Sequence, residues 1–451
     1  MSTELLAPLD LAFWHLESEA HPMHLGALAV FEPESGRDPR DLLDLLGARA
    51  AAIPRLRMKV RDVLLPVGGA AWVTDKDFDV HRHVRRVVLP GADFMAEATR
   101  LAGELMEQPL GRGLPPWQMY LLDSPGEGPF AVLVKLHHAL ADGMRAVAIG
   151  AGIFDQIASA AGGRKARRRA PVPPRSWLPG PYEAAGMAMD RLGDVGRALG
   201  VGASVVRASR LDLRAASPLS ARSSGTRRLA TAELDADTVQ LIRRAEGGTA
   251  NDVLLAVVAG ALRRWILERG ESLPGADPRA LVPVSRRRPG VPADGNRLSG
   301  YLLGLPVGEQ DPRERLRLVR TGMDRNKAAG PLRGAGAVAV LADQLPALAH
   351  RFGAPLAGSA ARMLFDVLVT SVPLPRSALS LGGCPLRAVY PMAPLARGQS
   401  LAVALSTYGG RVQVGLVADG KALPDLDRLA AAVHDELRDL CALLPRVPAP
   451  A

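Results

Sequence analysis

Residues 130–143, FAVLVKLHHALADG, place two adjacent histidines and an Asp-Gly pair at the end of a predicted strand. Residues 130–136 are apolar and rich in β-branched and aromatic side chains apart from Lys135, which is typical of a mostly buried strand. After Gly143, apolar residues recur at spacings of three and four, which predicts a helix that ends near Ala160. Because α/β folds commonly place chemistry at such strand-to-helix junctions, we expect a functional site here.

Each residue type at this junction has a chemical use. A neutral imidazole can take a proton from an alcohol and later return it. Adjacent residues of an extended chain point to opposite sides, so only one of His137 and His138 can face a given cleft. Asp142 is placed either to cap the helix or to pair with an arginine, and Gly143 allows a ligand or another backbone to approach closely. The alternative is a buried histidine pair beside an ordinary turn. However, four residues of these types at this set spacing are unexpected by chance, which favours a functional motif.

Length, charge and cysteine content narrow the class of protein. A chain of 451 residues is long enough for two domains. There is no apolar run long enough to cross a membrane and no secretory signal, and the two cysteines are far apart, so a reducing cytoplasm is expected. The net charge of +10 favours an acidic partner such as a phosphorylated cofactor or an anionic membrane. Nucleic acid ranks last because no basic-aromatic pattern is present.

A change in composition divides the chain into three parts: residues 1–161, 162–223 and 224–451. The middle part begins with five basic residues among the six at 164–169, followed by a proline-rich tract. This pattern is typical of a solvated linker, although the same charges suit anionic lipid headgroups. Residues 182–213 are loosely helical and can either cross between domains or lie on a membrane surface.

Two helix starts are predicted from capping residues. Asp10 is expected to cap a helix over residues 11–17. The strongest helical pattern follows Thr249, whose spacing to Asp252 predicts a capping box. Asn251 and Asp252 therefore have two open interpretations, as helix-start residues or as residues near an active site.

No metal or dinucleotide site is predicted. His21 with His24, and His81 with His83, lack the spacing of metal ligands, and structural roles are expected for all four. The GAGAVA stretch at residues 334–339 loosely matches a dinucleotide fingerprint, but it does not follow a predicted strand and is rejected.

Several stretches, taken in order, resemble the bacterial wax ester synthase/acyl-CoA:diacylglycerol acyltransferase (WS/DGAT) family over nearly the whole chain. Condensation domains and chloramphenicol acetyltransferase share the HHxxxDG motif, but condensation domains lack the Asn-Asp helix. The matching stretches are PLDLAFWHLE, HPMHLGALAVFE, the proline-Trp117 element, HHALADG, GTRR, NDVLLAVVAGALRRWI, LVPVSRR, GNRLSGYLLGLPVGEQDPRERL and PDLDRLAAAV.

The resemblance implies an α/β fold of two chloramphenicol-acetyltransferase-like domains, residues 1–161 and 224–451, with an active-site tunnel at their interface. It implies transfer of a fatty acyl group from acyl-CoA, a substrate rather than a bound cofactor, to diacylglycerol or a long-chain alcohol. Such an enzyme is expected in the cytoplasm, with possible peripheral contact to the inner membrane or lipid droplets.

The resemblance also assigns roles within the motif that contains His137, His138, Asp142 and Gly143. His138 is the expected general base, acting without a covalent enzyme intermediate. Asp142 is expected to be structural, with Arg287 or Arg286 as its partner. Asn251 and Asp252 match the family's second motif and are expected to order the cleft opposite His138.

Two stretches depart from the family pattern. Pro115-Pro116-Trp117 replaces a PLW element, and Ser371-Val372-Pro373-Leu374-Pro375 replaces an Asn-Val-Pro-Gly-Pro stretch. If the second stretch lines the tunnel, Leu374 adds bulk that alters acceptor or chain-length preference. Two alternatives to fatty acyl transfer onto diacylglycerol or an alcohol stay open. One is an acyltransferase of the same fold with a polyketide or amine acceptor, and the other is a lipid-binding protein without activity.

Overall fold

A computed structural model of the chain describes residues 4–33, 38–64, 67–91, 93–125, 128–156, 219, 221, 223–285, 298–329 and 364–444. The helices in this part of the chain are α1 (Pro8–Leu16), α2 (Pro39–Ala52), α3 (Phe94–Glu107), α4 (Gly143–Ile153), α5 (Ala236–Glu246), α6 (Ala250–Glu268), α7 (Pro312–Ala329) and α8 (Leu426–Ala442). The strands are β1 (Glu4–Leu5), β2 (His24–Phe31), β3 (Met58–Asp62), β4 (Ala70–Thr74), β5 (Val84–Val88), β6 (Trp117–Asp123), β7 (Phe130–His137), β8 (Asp155–Gln156), β9 (Arg227–Asp235), β10 (Arg279–Ser285), β11 (Leu298–Gly304), β12 (Val367–Pro373), β13 (Leu379–Leu381), β14 (Cys384–Met392), β15 (Leu401–Tyr408) and β16 (Arg411–Asp419).

The helix starts follow from local side-chain chemistry. The predicted capping box of α6 is confirmed, since Thr249 and Asp252 each bond the other's backbone N–H. The prediction for Asp10 is wrong. Helix α1 begins at Pro8, whose fixed φ and missing N–H suit a first helical position, so Asp10 lies inside the first turn.

Two large mixed sheets and one small sheet form the described framework. The seven-stranded sheet has the order β5-β6-β7-β2-β14-β13-β8, and the six-stranded sheet has the order β11-β10-β12-β15-β16-β9. The small sheet is β1-β4-β3. Strands β13 and β14 come from the C-terminal half of the chain but pair within the sheet of the N-terminal half, where β14 lies against β2. The two halves are therefore joined by backbone hydrogen bonds, while the predicted domain boundaries stay a prediction.

Three apolar clusters fill the layers. One covers the six-stranded sheet with helices α5 to α8, and a second lies on one face of the seven-stranded sheet beneath α1, α2 and α4. The third lies between α3, the opposite face of the seven-stranded sheet and strands β15 and β16. Strands β2, β7 and β14 are thus covered on both faces.

Some predicted elements differ from the structure. Helix α4 ends at Ile153 rather than near Ala160, because Phe154 adopts an extended conformation. Helix α5 and strands β13 and β14 were not predicted. The linker and the loose helix at residues 182–213 lie outside the described residues.

Candidate active site

The two histidines stand at the end of β7, and backbone hydrogen bonds fix both. The His137 N–H donates to the Pro116 carbonyl at 3.0 Å, and the His138 N–H donates to the Met23 carbonyl at 2.8 Å. Within the sheet, His137 is paired with His24 of β2. The predicted alternation is present: His138 lines a pocket, and His137 is fully buried beside His24.

The pocket lies between the two large sheets and has a volume of about 410 Å³. Helix α4 and strands β2, β7 and β14 form one side, and β12 and β15 form the other. Apolar side chains dominate its walls, so it favours an aliphatic ligand over a polar one. Residues 371–375, the segment whose sequence differs from the family pattern, line this pocket.

His138 has an apolar environment. Its ring stacks on Phe13 of α1, with the ring centroids 4.0 Å apart and an interplanar angle of 25°. Burial lowers the pKa of His138 to about 4, and the charge of His137 lowers it too, whereas an interaction with its own backbone and the charge of Asp142 raise it. The imidazole is therefore neutral at physiological pH and able to accept a proton.

Asp142 forms the N-cap of α4. Its Oδ1 accepts a hydrogen bond from the Arg145 N–H at 2.8 Å, and the side chain is buried. Gly143, the first residue of α4, lines the pocket. An added Cβ there would lie 3.6 Å from Val372 Cγ2, an ordinary van der Waals distance. The predicted partners Arg286 and Arg287 lie outside the described residues.

A second polar group lies behind His137. Glu17, just after α1, places Oε1 3.2 Å from His24 Nε2 and 3.5 Å from His137 Nε2. Burial raises the pKa of Glu17, but interactions with His137 and His24 outweigh it, and the net effect is a strongly lowered pKa. Burial lowers the pKa of His24 to about 4, against the opposing influence of Glu17.

The start of α6 lies beside β12. The Ser371 hydroxyl donates to Asn251 Oδ1 at 2.8 Å, which joins the helix start to a pocket-lining residue. Asp252 is buried and bonds Thr249, so its visible role is the capping box.

The other singled-out histidines occupy structural positions. His83 Nδ1 lies 2.8 Å from the Trp117 carbonyl, and the His81 backbone N–H donates to Asp79. His21 Nδ1 lies 3.3 Å from the Ser18 hydroxyl. Among the described residues, no group of three or more His, Cys, Asp and Glu side chains is arranged to hold a metal ion.

Phe13 and Glu17 were not predicted as site residues. Both lie in the PLDLAFWHLE stretch, whose only signal was its family resemblance.

In the described portion of the chain, no helix has the length and apolar character needed to span a bilayer.

Comparisons with known proteins identify the family to which the chain is similar. Residues 6–254 match the family described as "Wax ester synthase/diacylglycerol acyltransferase catalytic domain", and residues 294–441 match "WS/DGAT C-terminal domain". The chain is 31% identical over 454 residues to "Probable diacyglycerol O-acyltransferase tgs2" of Mycobacterium tuberculosis, covering 97% of this chain and 98% of the relative. It is 30% identical over 449 residues to "Probable diacyglycerol O-acyltransferase tgs1" of the same organism, covering 98% and 96%.

The fold is also shared with a solved structure. The wax ester synthase/diacylglycerol acyltransferase from Marinobacter aquaeolei VT8 superposes with a TM-score of 0.72 at 23% identity, covering 98% of this chain and all of that one. This likeness confirms the predicted α/β acyltransferase fold. The family matches and the relatives together show that the chain is a member of the wax ester synthase/diacylglycerol acyltransferase family.

Proposed function

We propose that the protein transfers a fatty acyl group from acyl-CoA to diacylglycerol or a long-chain alcohol, with His138 as the general base. The observation that carries this proposal is the place of His138: a neutral imidazole in the wall of an apolar pocket between the two sheets. The pocket's volume of about 410 Å³ lies in the range of small-molecule sites. Family membership supports acyl-CoA as the donor.

The chemistry needs one proton carrier. As the acceptor oxygen attacks the thioester carbonyl carbon, its proton moves to His138 and a C–O bond forms. The carbonyl electron pair moves to oxygen in the tetrahedral intermediate. When the intermediate collapses, the C–S bond breaks and the leaving thiolate takes the proton from His138. The products are the ester and free coenzyme A, and no covalent enzyme intermediate forms.

A lowered pKa keeps the base available but weakens it. Burial disfavours the imidazolium of His138 while the site holds no negative charge. The oxyanion that forms during attack supplies such a charge a few ångströms away, and opposite charges favour the protonated ring. The base is therefore neutral before the reaction and stabilised as a cation when it accepts the proton.

Other motif residues support this base. Asp142 fixes the start of α4 and adds a negative charge that raises the pKa of His138. Gly143 keeps the pocket wall free of a side chain, and Asn251 orders the β12 wall through Ser371. His137 acts behind the wall rather than inside the pocket.

One observation bears on the choice between the two acceptors. Leu374 and Ser371, which depart from the family pattern, line the pocket. Added bulk at residue 374 narrows the space for the acceptor, which favours a slimmer or shorter one. A long-chain alcohol fits this constraint better than diacylglycerol does.

The test is thiol release from palmitoyl-coenzyme A by the purified full chain, with hexadecanol or dipalmitoylglycerol as acceptor. The variant is His138→Ala, and the control is His81→Ala, because His81 is an exposed histidine away from the pocket. We expect acceptor-dependent release with the wild type and the control, and none with His138→Ala. Equal rates for His138→Ala and wild type would refute the role of His138. No release by any folded protein would direct the search to polyketide and amine acceptors or a binding role.

We further propose that the enzyme meets its substrates at a membrane or lipid-droplet surface, since both substrates carry long aliphatic chains. The net charge of +10 supports an anionic surface. Flotation of the protein with phosphatidylglycerol vesicles, compared with neutral phosphatidylcholine vesicles, tests this proposal. Failure of the protein to float with either kind of vesicle would contradict it.

A further inference from the structure

The buried carboxylate behind the motif lies close to several basic side chains. Glu17 Oε1 lies between His24 Nε2 of β2 and His137 Nε2 of β7, and Oε2 lies 3.9 Å from Arg112. Its side chain is 7% exposed, so these neighbours rather than water must stabilise its charge. Lys135, also on β7, contributes a further positive charge to the group.

The ring of His137 has a defined proton position. Its Nδ1 accepts the backbone N–H of Ala139 at 3.0 Å, so Nδ1 holds a lone pair. The proton of the neutral ring therefore lies on Nε2, which faces Glu17 at 3.5 Å. A carboxylate that faces this N–H favours the same tautomer and helps to orient the ring.

Helix α1 connects this carboxylate to the pocket. Phe13 on α1 stacks on His138, and Trp14 packs edge-on against His137 at 5.0 Å between ring centroids. Glu17 follows the last turn of the same helix. The contacts of Glu17 with His24 and His137 therefore hold α1, and with it Phe13, against the end of β7.

We propose that Glu17 is a positioning residue for the acyl transfer, fixing His137 and helix α1 so that the His138 ring keeps its place in the pocket wall. This inference rests on the proposed role of His138 as the base. Glu17 acts through its neighbours and does not itself touch the substrate.

Glu17→Gln is the first variant, because it keeps the shape of the side chain but removes its charge. Glu19→Gln is the matched control, since Glu19 is exposed two residues further along. We expect kcat of Glu17→Gln to fall by about 100-fold with little change in KM for palmitoyl-coenzyme A, because a small misplacement of the base weakens only the chemical step. Glu17→Asp is expected to recover part of the loss, since the carboxylate is retained.

Two further readouts separate positioning from general stability. The thermal midpoint of Glu17→Gln is compared with that of Glu19→Gln, and nitrogen NMR of labelled histidines reports the His137 tautomer, assigned with His137→Gln. We expect a proton on Nε2 in both proteins, because the Ala139 N–H donates to Nδ1 in each, and a shifted Nε2 resonance in Glu17→Gln. A stable Glu17→Gln variant with the kcat of the control would overturn the proposal.

If Glu17→Gln does not fold, the proposal is tested by the tautomer of His137 in the wild type and by the kcat of Glu17→Asp. A proton on Nδ1 of His137 in the wild type would also overturn the proposal. Failure of the base itself is distinguishable, because His138→Ala would then keep its activity. Failure of the positioning role alone leaves His138→Ala inactive and Glu17→Gln active.

Discussion

Phe13 lies nearly flat against His138, with ring centroids 4.0 Å apart and an angle of 25° between the planes. The contact joins the first helix of the chain to the end of β7. It covers one face of the imidazole with an apolar ring, which contributes to the burial that lowers the pKa of His138 to about 4. The same contact restricts rotation of the ring, so a single aromatic side chain affects both the protonation and the orientation of the proposed base.

Phe13→Ala is expected to shift the acid limb of the pH–activity profile upward. Water replaces the phenyl ring, so the pKa of His138 rises from about 4 toward its ordinary value of 6.5. More of the base is then protonated at pH 5.5, and the ratio of kcat/KM at pH 5.5 to that at pH 7.5 falls below the wild-type ratio. Initial rates across this range give the measurement. Phe13→Leu keeps an apolar cover and should follow the wild-type profile, whereas identical profiles for all three proteins would contradict this account.

Asp142→Asn and Asp142→Ala separate the capping role of Asp142 from its charge. Asparagine caps a helix about as well as aspartate, whereas alanine costs about 1 kcal/mol of unfolding free energy. We therefore expect Asp142→Asn to keep near wild-type stability and more activity than Asp142→Ala. Chemical denaturation and steady-state rates are the two measurements. Equal damage from both substitutions would show that the negative charge of Asp142 matters more than its cap.

The local part of the site could be predicted because it depends on short-range geometry. Strand alternation alone sends His137 and His138 to opposite sides, and the Asp-Gly pair predicts the start of α4. Phe13 and Glu17 could not be predicted from spacing, because they reach the histidines only through the packing of α1. A carboxylate in a polar stretch near the amino terminus resembles any exposed glutamate until the fold buries it.

The sheet that contains the site was harder to predict than the motif. Strand β14 contains Pro385 and Pro391, and proline within a run argues against an interior strand. In the structure β14 nonetheless lies between β2 and β13, with a register shift between Leu386 and Ala388 in its pairing with β2. Tertiary packing thus overrides a local signal, and the pocket that it completes includes residues from both halves of the chain.

Acidification is expected to destabilise the fold between about pH 6.5 and pH 4. Burial lowers the pKa of His24 and of His138 from 6.5 to about 4, so the unfolded chain binds more protons than the folded one in this interval. The stabilisation is present in full above pH 6.5 and is lost as the pH falls through the folded pKa. Glu17, whose pKa is lowered in the fold, contributes with the same sign below its ordinary value of 4.5.

Urea unfolding at pH 7.5 and pH 5.0 tests this pH dependence. Between pH 7.5 and pH 5.0, we expect each buried neutral histidine to lower the unfolding free energy by on the order of 2 kcal/mol. Replacing His24 with phenylalanine removes one titrating group and should reduce the difference between the two pH values. An unfolding midpoint that does not change with pH in the wild type would contradict the assigned burial of these rings.

Leu374→Gly tests whether residues 371–375, which differ from the family pattern, determine the preference for an acceptor. The substitution restores glycine where the family pattern has it and removes a side chain that lines the pocket. We expect the rate with dipalmitoylglycerol to rise relative to hexadecanol by about tenfold, because pocket walls discriminate between ligands of different bulk on that scale. Leu64→Gly is the control, since Leu64 is 90% exposed and lies outside the pocket lining. Thermal midpoints show whether the added glycine merely loosens the segment. An unchanged ratio in a stable Leu374→Gly variant would place acceptor selection elsewhere in the pocket, with the α4 wall around Val147 and Gly150 as the next surface to alter.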